Sequence, residues 1–359
     1  MSLTIQINGR DYTNWISATV SLNIETVSGA FSFTTSADRN HVLPIRVGDN
    51  VAIFADGKQV IKGFVEKSSP AYSASDHVIS VDGRDVTCDF IDSTVSAEKE
   101  FAPDITLAEI CRIVLDGINL KKVLVIDNAG QSKLFDDITS AEVGTTCFSF
   151  VEPYARKIQV LLNTDGKGNL VLNRASTELF PAKLQNSVGA NDNNILSASP
   201  SYDNSQRYYK YIFQAQLNPV NLDEATTPTN IAEQEGVAID DAIRPSRILE
   251  INSEESSDAL TATERAAWEL SIRRARSFTY EATVQGHSMG GKTWQPNFIL
   301  PVLDEFAGID AQLLIKNVTF REDASTGTTT SLEMTYRDAY TLELAALQRK
   351  AEEGEGFMA

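Results

Sequence analysis

The sequence predicts a mainly β protein of the α+β class, with two β-rich stretches flanking α/β material. Three observations carry this. Residues 1 to 92 alternate apolar and polar positions in short runs broken by turn signals. Capping boxes then open two helical stretches further along. Finally, alternation returns from Phe278 to Tyr336, in a hairpin that echoes an early one. A chain of 359 residues accommodates two or three compact units.

The first stretch is read strand by strand. Thr4-Ile5-Gln6-Ile7 alternates and stops at Asn8-Gly9, a two-residue turn signal. Thr19 to Ile24 puts Val20, Leu22 and Ile24 on one face, and Ala30-Phe31-Ser32-Phe33 follows the turn at Ser28-Gly29. Val51 to Phe54 and Gln59 to Ile61 flank Asp56-Gly57. Phe64-Val65-Glu66 and Val78 to Val81 flank a polar loop around Pro70 and Ser75. Short strands at this spacing predict a small antiparallel barrel or sandwich.

After about residue 93 the period changes. Thr106-Leu-Ala-Glu109 is a capping box, and Leu107, Ile110, Cys111, Val114 and Leu115 follow at helical spacing until Gly117. Val123 to Ile126 reads as a buried strand. Thr145 to about Ala155 reads as a helix with Phe148 and Val151 on one face, opposed by Pro153. Lys157–Leu162 and Leu170–Leu172 bracket a hairpin turn at Asp165-Gly166-Lys167-Gly168-Asn169. Tyr208 to Phe213 alternates as a strand. Residues 219 to 245 carry three prolines and six acids, with no base before Arg244, and read as a solvated excursion. A second capping box, Thr261-Ala-Thr-Glu264, opens a helix with Ala267, Trp268, Ile272 and Ala275 as its apolar stripe. Arg265, Glu269 and Arg273 sit four apart on another face. After Asp338 the tail is helical, then frays.

One internal echo joins the two ends. Gly63-Phe-Val-Glu-Lys67, a polar loop and Val78 to Asp85 match Asn317-Val-Thr-Phe-Arg321, a polar loop and Leu332 to Asp338. Each is a hairpin ending in Arg-Asp at similar spacing. The echo suggests a duplication: two related barrels with the α/β material between them.

Composition narrows the function. Lys+Arg 31 against Asp+Glu 49 leaves −18, which argues against a phosphate-neutralising nucleic-acid face and against docking on anionic lipid. Cys88, Cys111 and Cys147 are too scattered for a zinc knuckle or a disulfide framework and read as small buried hydrophobes. The start lacks the basic and apolar regions of a signal peptide, and no run approaches a membrane span, so a soluble protein made in a cytoplasm is expected.

Gly286-His287-Ser288-Met289-Gly290 spells the G-x-S-x-G of a nucleophile elbow. That chemistry needs a strand-to-helix turn and a histidine to take the serine proton. Pro296 follows too soon for a helix, and His41, His77 and His287 all precede Ser288, so a glycine-rich β-turn is the better reading. Asn163 to Asn169 lacks the alternate-ligand pattern and closing Glu of a calcium loop. The Arg265, Arg273, Arg274 and Arg276 cluster is better explained by ion pairs with the acidic excess than by nucleic acid. No catalytic, cofactor or metal residues are expected.

Taken in order, several segments resemble the baseplate hub proteins of Mu-type contractile-tailed phages. They are Ile7-Asn8-Gly9 with Trp15, Ser28 to Phe33, Val47 to Val51, Gly63-Phe64-Val65 and Asp82 to Asp89. Later come Arg244-Pro-Ser-Arg247, Arg265 to Trp268, Arg274-Ala275-Arg276, Val284-Gln-Gly286, Trp294 to Asn297, Leu314-Ile315 and Arg337 to Tyr340. The resemblance spans residues 3 to 342 and leaves the tail outside. It implies a ring-shaped homotrimer, in which two tube-like barrels per chain present six to a hexameric tail tube above and three subunits meet a central spike below. It also implies other baseplate partners, DNA passing through the channel without specific binding, no stable membrane insertion and no cofactor. The implied location is the virion, after synthesis in the host cytoplasm. The expected organisation is a first tube-like barrel over 1–92, an inserted α/β domain over 93–198 and 236–277, a second barrel over 199–235 and 278–341, and a C-terminal helix and tail over 342–359. Two alternatives stand beside this one: a tail-associated peptidoglycan hydrolase, and the spike-base module of a type VI secretion system, which the short tail disfavours.

Overall fold

The computed structural model describes residues 2–13, 15–36, 45–73, 77–130, 134–135, 138, 140–158, 160–214, 235–252, 262–323 and 327–340. His41, the capping Thr261, most of the acidic excursion and the tail beyond Tyr340 lie outside the described residues. By internal packing the chain divides into two compact units. One comprises Met1–Ser199 with Tyr280–Met334; the other comprises Pro200–Thr279 with the chain from Thr335.

The chain opens with β1 (Leu3–Ile7), β2 (Arg10–Tyr12), β3 (Trp15–Asn23), β4 (Ala30–Ser36), β5 (Asn50–Ala55), β6 (Lys58–Tyr72) and β7 (His77–Asp85). The predicted two-residue turns set the register. Asn8 and Gly9 take φ of 50° and 77°, and Asp56 and Gly57 take 49° and 79°. Two successive positive φ values match the right-handed twist of paired strands, so β1–β2 and β5–β6 close tightly. Alternation does the rest: Ala18, Val20 and Leu22 of β3, and Phe31 and Phe33 of β4, point into the core.

Next come α1 (Cys88–Asp92), β8 (Ile105–Thr106), α2 (Leu107–Gly117), β9 (Val125–Asp127), β10 (Leu134–Phe135), α3 (Cys147–Lys157), β11 (Leu161–Thr164) and β12 (Leu170–Asn173). The capping box of α2 forms in both directions. The Glu109 N–H donates to Thr106 Oγ1 at 3.3 Å, and the Thr106 N–H donates to Glu109 Oε2 at 2.8 Å. The hydrogen bonds from Thr106 hold the Glu109 carboxyl below its ordinary pKa. The predicted stripe of α2 packs on α3 around Cys111, Cys147 and Val151. Pro153 lies inside α3 without ending it, because Phe150, Val151 and Ala155 anchor both sides of it in that core. Lys157, expected in a strand, instead ends this helix. β9 pairs parallel with β12, as an α/β crossover requires.

Two strands follow, β13 (Leu184–Asn186) and β14 (Ile195–Tyr202). Then come β15 (Lys210–Gln214), β16 (Glu235–Ile239), β17 (Ile248–Asn252) and α4 (Ala262–Arg276). The last three of these strands form a separate sheet in the order β16-β15-β17, against which α4 packs. A Cβ at Gly236 would lie 1.9 Å from the Ala262 backbone, so glycine there lets the start of α4 approach. α4 buries Ala262, Ala266, Ile272 and Ala275; Ala266, not the expected Ala267, is the fully covered member of that pair. Tyr208 to Phe213 was expected in a second barrel, but this segment is the centre of the small sheet.

The chain closes with β18 (Phe278–Gln285), β19 (Ser288–Met289), β20 (Lys292–Thr293), β21 (Ile299–Asp304), β22 (Ile309–Asp323), β23 (Gly327–Thr335) and a 3-10 turn (Arg337–Tyr340). The early and late strands share one 13-stranded sheet, in the order β14-β18-β23-β22-β3-β4-β7-β6-β5-β1-β2, with β21 on β22 and β13 on β21. Two separate closed antiparallel barrels were expected, and no closed barrel is found among the described residues. The physical reason is β22. Its first half pairs β21 and its second half pairs β3, so the edge that closure of the first group would need is already occupied. The β13–β21 pair is also parallel. The protein is therefore mainly β with four α-helices among the described residues.

Candidate functional site: two matched sheet modules

The catalytic-looking string resolves into a turn. Ser288 sits in the short hairpin β19–β20, not at the start of a helix. Its Oγ donates to Asp56 Oδ2 at 2.5 Å. Gly286, Gly290 and Gly291 all have positive φ, and a Cβ at Gly290 would lie 1.9 Å from the Pro181 carbonyl oxygen. His287 is fully buried, with Nδ1 3.2 Å from Thr330 Oγ1 and Nε2 3.8 Å from Glu322. Burial pushes its pKa down to about 4, so the imidazole is neutral at pH 7. His77 stacks on Tyr72 at 6.0 Å.

The other candidates are equally occupied. Asp165 accepts from the N–H groups of Lys167 and Asn169 at 2.8 and 3.1 Å and from the Asn169 amide at 2.7 Å, so its carboxylate is spent on its own turn. Arg273 pairs with Glu269 at 2.6 Å and lies 5.4 Å over Tyr208, while Arg265 stacks on Trp268. The three cysteines are free, and burial raises their thiols to about 12, 12 and 11 for Cys88, Cys111 and Cys147. Among the described residues no group of three His, Cys, Asp or Glu is arranged to hold a metal ion. No helix among them is long and apolar enough to cross a membrane.

What the structure does build is a repeat. Six strands of the first module, β1, β3, β4, β5, β6 and β7, and six of the second, β13, β14, β18, β21, β22 and β23, can each be numbered one to six along the chain. In both modules the spatial order is then 2-3-6-5-4-1. The last three strands agree in length as well: six, fifteen and nine residues in β5, β6 and β7, and six, fifteen and nine in β21, β22 and β23. The echoed hairpins β6–β7 and β22–β23 hold the same place in the two orders. The strands β13 and β14 thus pair with the late strands, not with the α/β material to which 93–198 was expected to belong.

The modules meet at a seam between β3 and β22, antiparallel from Asn317 opposite Asn23 to Asp323 opposite Ser17. Val20, Val318 and Phe320 are fully buried there, and the Phe320 ring meets the edge of His287 at 5.3 Å. Polar groups fix the register. Ser21 Oγ donates to Asn317 Oδ1 at 3.1 Å, and the Leu3 N–H donates to Glu322 Oε2 at 2.5 Å. Asn163, from the α/β insertion, donates through its amide to the Ile24 carbonyl at 2.6 Å. In the first module two glycines let the paired strands β6 and β7 approach closely: a Cβ on Gly63 would fall 1.7 Å from Arg84 O, and one on Gly83 2.2 Å from Phe64 O. Beside these glycines, Arg84 forks onto Glu66 at 2.7 Å and reaches Asp92 of α1 at 2.5 Å. These hydrogen bonds raise its pKa further.

Comparisons with known proteins agree with this geometry. Residues 2–85, the first module, match the N-terminal domain of the Mu phage baseplate assembly protein GpP-like family. Residues 258–343, which run through β18 to β23, match the fourth domain of the Mu phage baseplate assembly protein GpP. The chain is 23% identical to the baseplate hub protein gp44 of Escherichia phage Mu, over 99% of this chain and 93% of that protein. The 43 kDa tail protein of prophage MuSo2 from Shewanella oneidensis superimposes with a TM-score of 0.78 at 28% identity, covering 94% of this chain and 99% of that one. A tail protein from Neisseria meningitidis gives a TM-score of 0.76 at 19% identity, over 94% and 98% of the two chains.

Proposed function

We propose that the chain is a member of the Mu-type phage baseplate hub family, which it resembles along its length, and that it is the central adaptor of a contractile tail. In this reading it is a virion component that forms a homotrimer, joining the sixfold tail tube to the threefold central spike around the DNA channel. The observation that carries the reading is the repeated strand order, 2-3-6-5-4-1, in one chain. A threefold ring and a sixfold ring share an interface only if each of three chains offers the same feature twice. The sheet modules supply that feature, and the insertions 88–175 and 203–277 leave the strand order untouched. The role is structural, with contacts to tube, spike and other baseplate proteins and no catalysis. An excess of 18 negative charges suits a conduit that DNA passes without sticking.

Light scattering on the purified full chain, followed by electron microscopy of the particles, tests the proposal. A mass near three chains and a ring with six similar lobes are expected. A strict monomer at high concentration, or a ring whose lobes are not repeated twice per chain, would overturn it.

A further inference from the structure

The seam within the chain predicts a seam between chains. The inference rests on the trimeric reading above and deepens it. In the first module the second strand is β3, and its outer edge is paired by the distal half of β22, the fifth strand of the second module. In the second module the equivalent second strand is β14, which ends the sheet and has one edge unpaired among the described residues. The equivalent fifth strand is β6. It stops pairing β5 at Phe64, just as β22 stops pairing β21 at Leu314. β22 takes up β3 three residues later, at Asn317. The matching point on β6 is Lys67, and Lys67–Tyr72 pairs β7 on one side with no strand on the other among the described residues.

The chemistry of both edges fits covering by a second copy of this chain. Every residue of β14 after Ile195 is exposed, whereas Ala18, Val20 and Leu22 of its counterpart β3 are buried. β14 reads Ile-Leu-Ser-Ala-Ser-Pro-Ser-Tyr, without a single charge in a chain that is 22% charged. Monomeric proteins blunt such an edge with charges, because unpaired N–H and C=O groups invite another strand. Large apolar surface flanks the two edges: Leu196 and Tyr202 are 57% and 65% exposed, and Tyr72 is 84% exposed. Pro200 and Pro70 each remove one donor without closing the edge.

We propose that β14 of one copy adds, antiparallel, to Lys67–Tyr72 of β6 in the next copy, repeating between chains the β3–β22 pairing. The contact is head-to-tail and uses different patches on the two partners, so it closes only as a ring. Two kinds of seam alternate around that ring, one covalently continuous and one not.

The test places cysteines on the two edges of the full chain: S69C combined in turn with S197C, S199C or S201C. S21C with T319C serves as the internal control, since those residues face each other across the existing seam. The three native cysteines are buried and give little background. After mild oxidation, at least one edge pair is expected to run as covalent dimers and trimers on a non-reducing denaturing gel, while the control closes within the chain. A particle of three chains in which the control closes and none of the edge pairs links would overturn the seam and leave the trimer standing. A monomeric particle would overturn both.

Discussion

The two sheet modules reach one strand order by different chemistry. In the first, β6 and β7 approach closely at Gly63 and Gly83, where neither position has room for a side chain. In the second, β22 and β23 hold the same places with no glycine past Gly327, and Leu313, Ile315, Phe320, Leu332 and Met334 fill the interior. The first module joins β3 to β4 through a short turn at Glu25–Gly29, whereas the second places the whole of β15 to α4 between β14 and β18. The two modules share a topology but not its side chains. A sheet order is held by backbone pairing, and many interiors satisfy it provided volume and pattern are kept.

The largest effect is expected where the modules depend on each other. Phe320 is fully buried at the seam, opposite Val20. Phe320→Ala should cost about 3–5 kcal/mol in a urea titration of the full chain. On the equivalent edge of the first module, Ser69→Ala should change stability by less than about 0.5 kcal/mol in the isolated chain. Equal losses at the two positions would mean that the modules are not related as the strand order implies.

Gly63→Ala comes next. The new Cβ meets the Arg84 carbonyl, which is backbone and cannot swing away, so a loss of about 1–3 kcal/mol is expected from thermal unfolding. Gly327→Ala is a milder change: its Cβ has open space and only the positive φ of 73° to accommodate. The ratio of the two losses measures how far the close glycine approach is peculiar to the first module.

The repeated strand order was only partly legible in the sequence, and the reason is local against non-local information. The Phe64 to Arg84 and Val318 to Arg337 hairpins announce themselves because each is a continuous alternating run with its own turn. The turns at Asn8-Gly9 and Asp56-Gly57 and the cap at Thr106 are legible for the same reason. β14 was invisible, because Ser-Ala-Ser-Pro-Ser carries no apolar period when neither of its faces is buried in the chain. Tyr208 to Phe213 was recognisable as a strand but not as a member of the small sheet, since alternation reports burial and not partner. Trp294 stacking on Phe180 at 4.4 Å had no local signal at all.

The modules should also part company with pH. The second buries a base, His287, whose pKa is lowered to about 4 by burial. The first buries an acid, Asp85, which burial pushes up against hydrogen bonds from Thr87. Below its ordinary value of 6.5 an unfolded histidine takes a proton that folded His287 refuses, so this group erodes stability as pH falls from 6.5 to about 4 and adds nothing above. Asp85 works in the opposite sense: its folded form binds the proton more readily, so acidification relieves a penalty. His287→Gln should therefore flatten the acid limb of a stability–pH profile by about 1–3 kcal/mol between pH 6.5 and 4. An unchanged limb would show that the imidazole does not sense the seam.

A small effect is also expected at Arg84, despite its short contacts to Glu66 and Asp92. All three side chains are about a third or more exposed, so water and salt screen the pairs, and the fork ties α1 to β6 without filling any core. Arg84→Ala should lose less than about 1 kcal/mol, and the difference from the parent should narrow in 1 M salt. Arg337, which ends the echoed hairpin, lies in a 3-10 turn instead of at a strand end. If Arg84→Ala cost several times that amount, the ion pairs would be holding the α/β insertion in place on the first module. The Arg-Asp ending of the two hairpins would then mark a shared structural joint, where the present geometry makes it a surface clamp in one module.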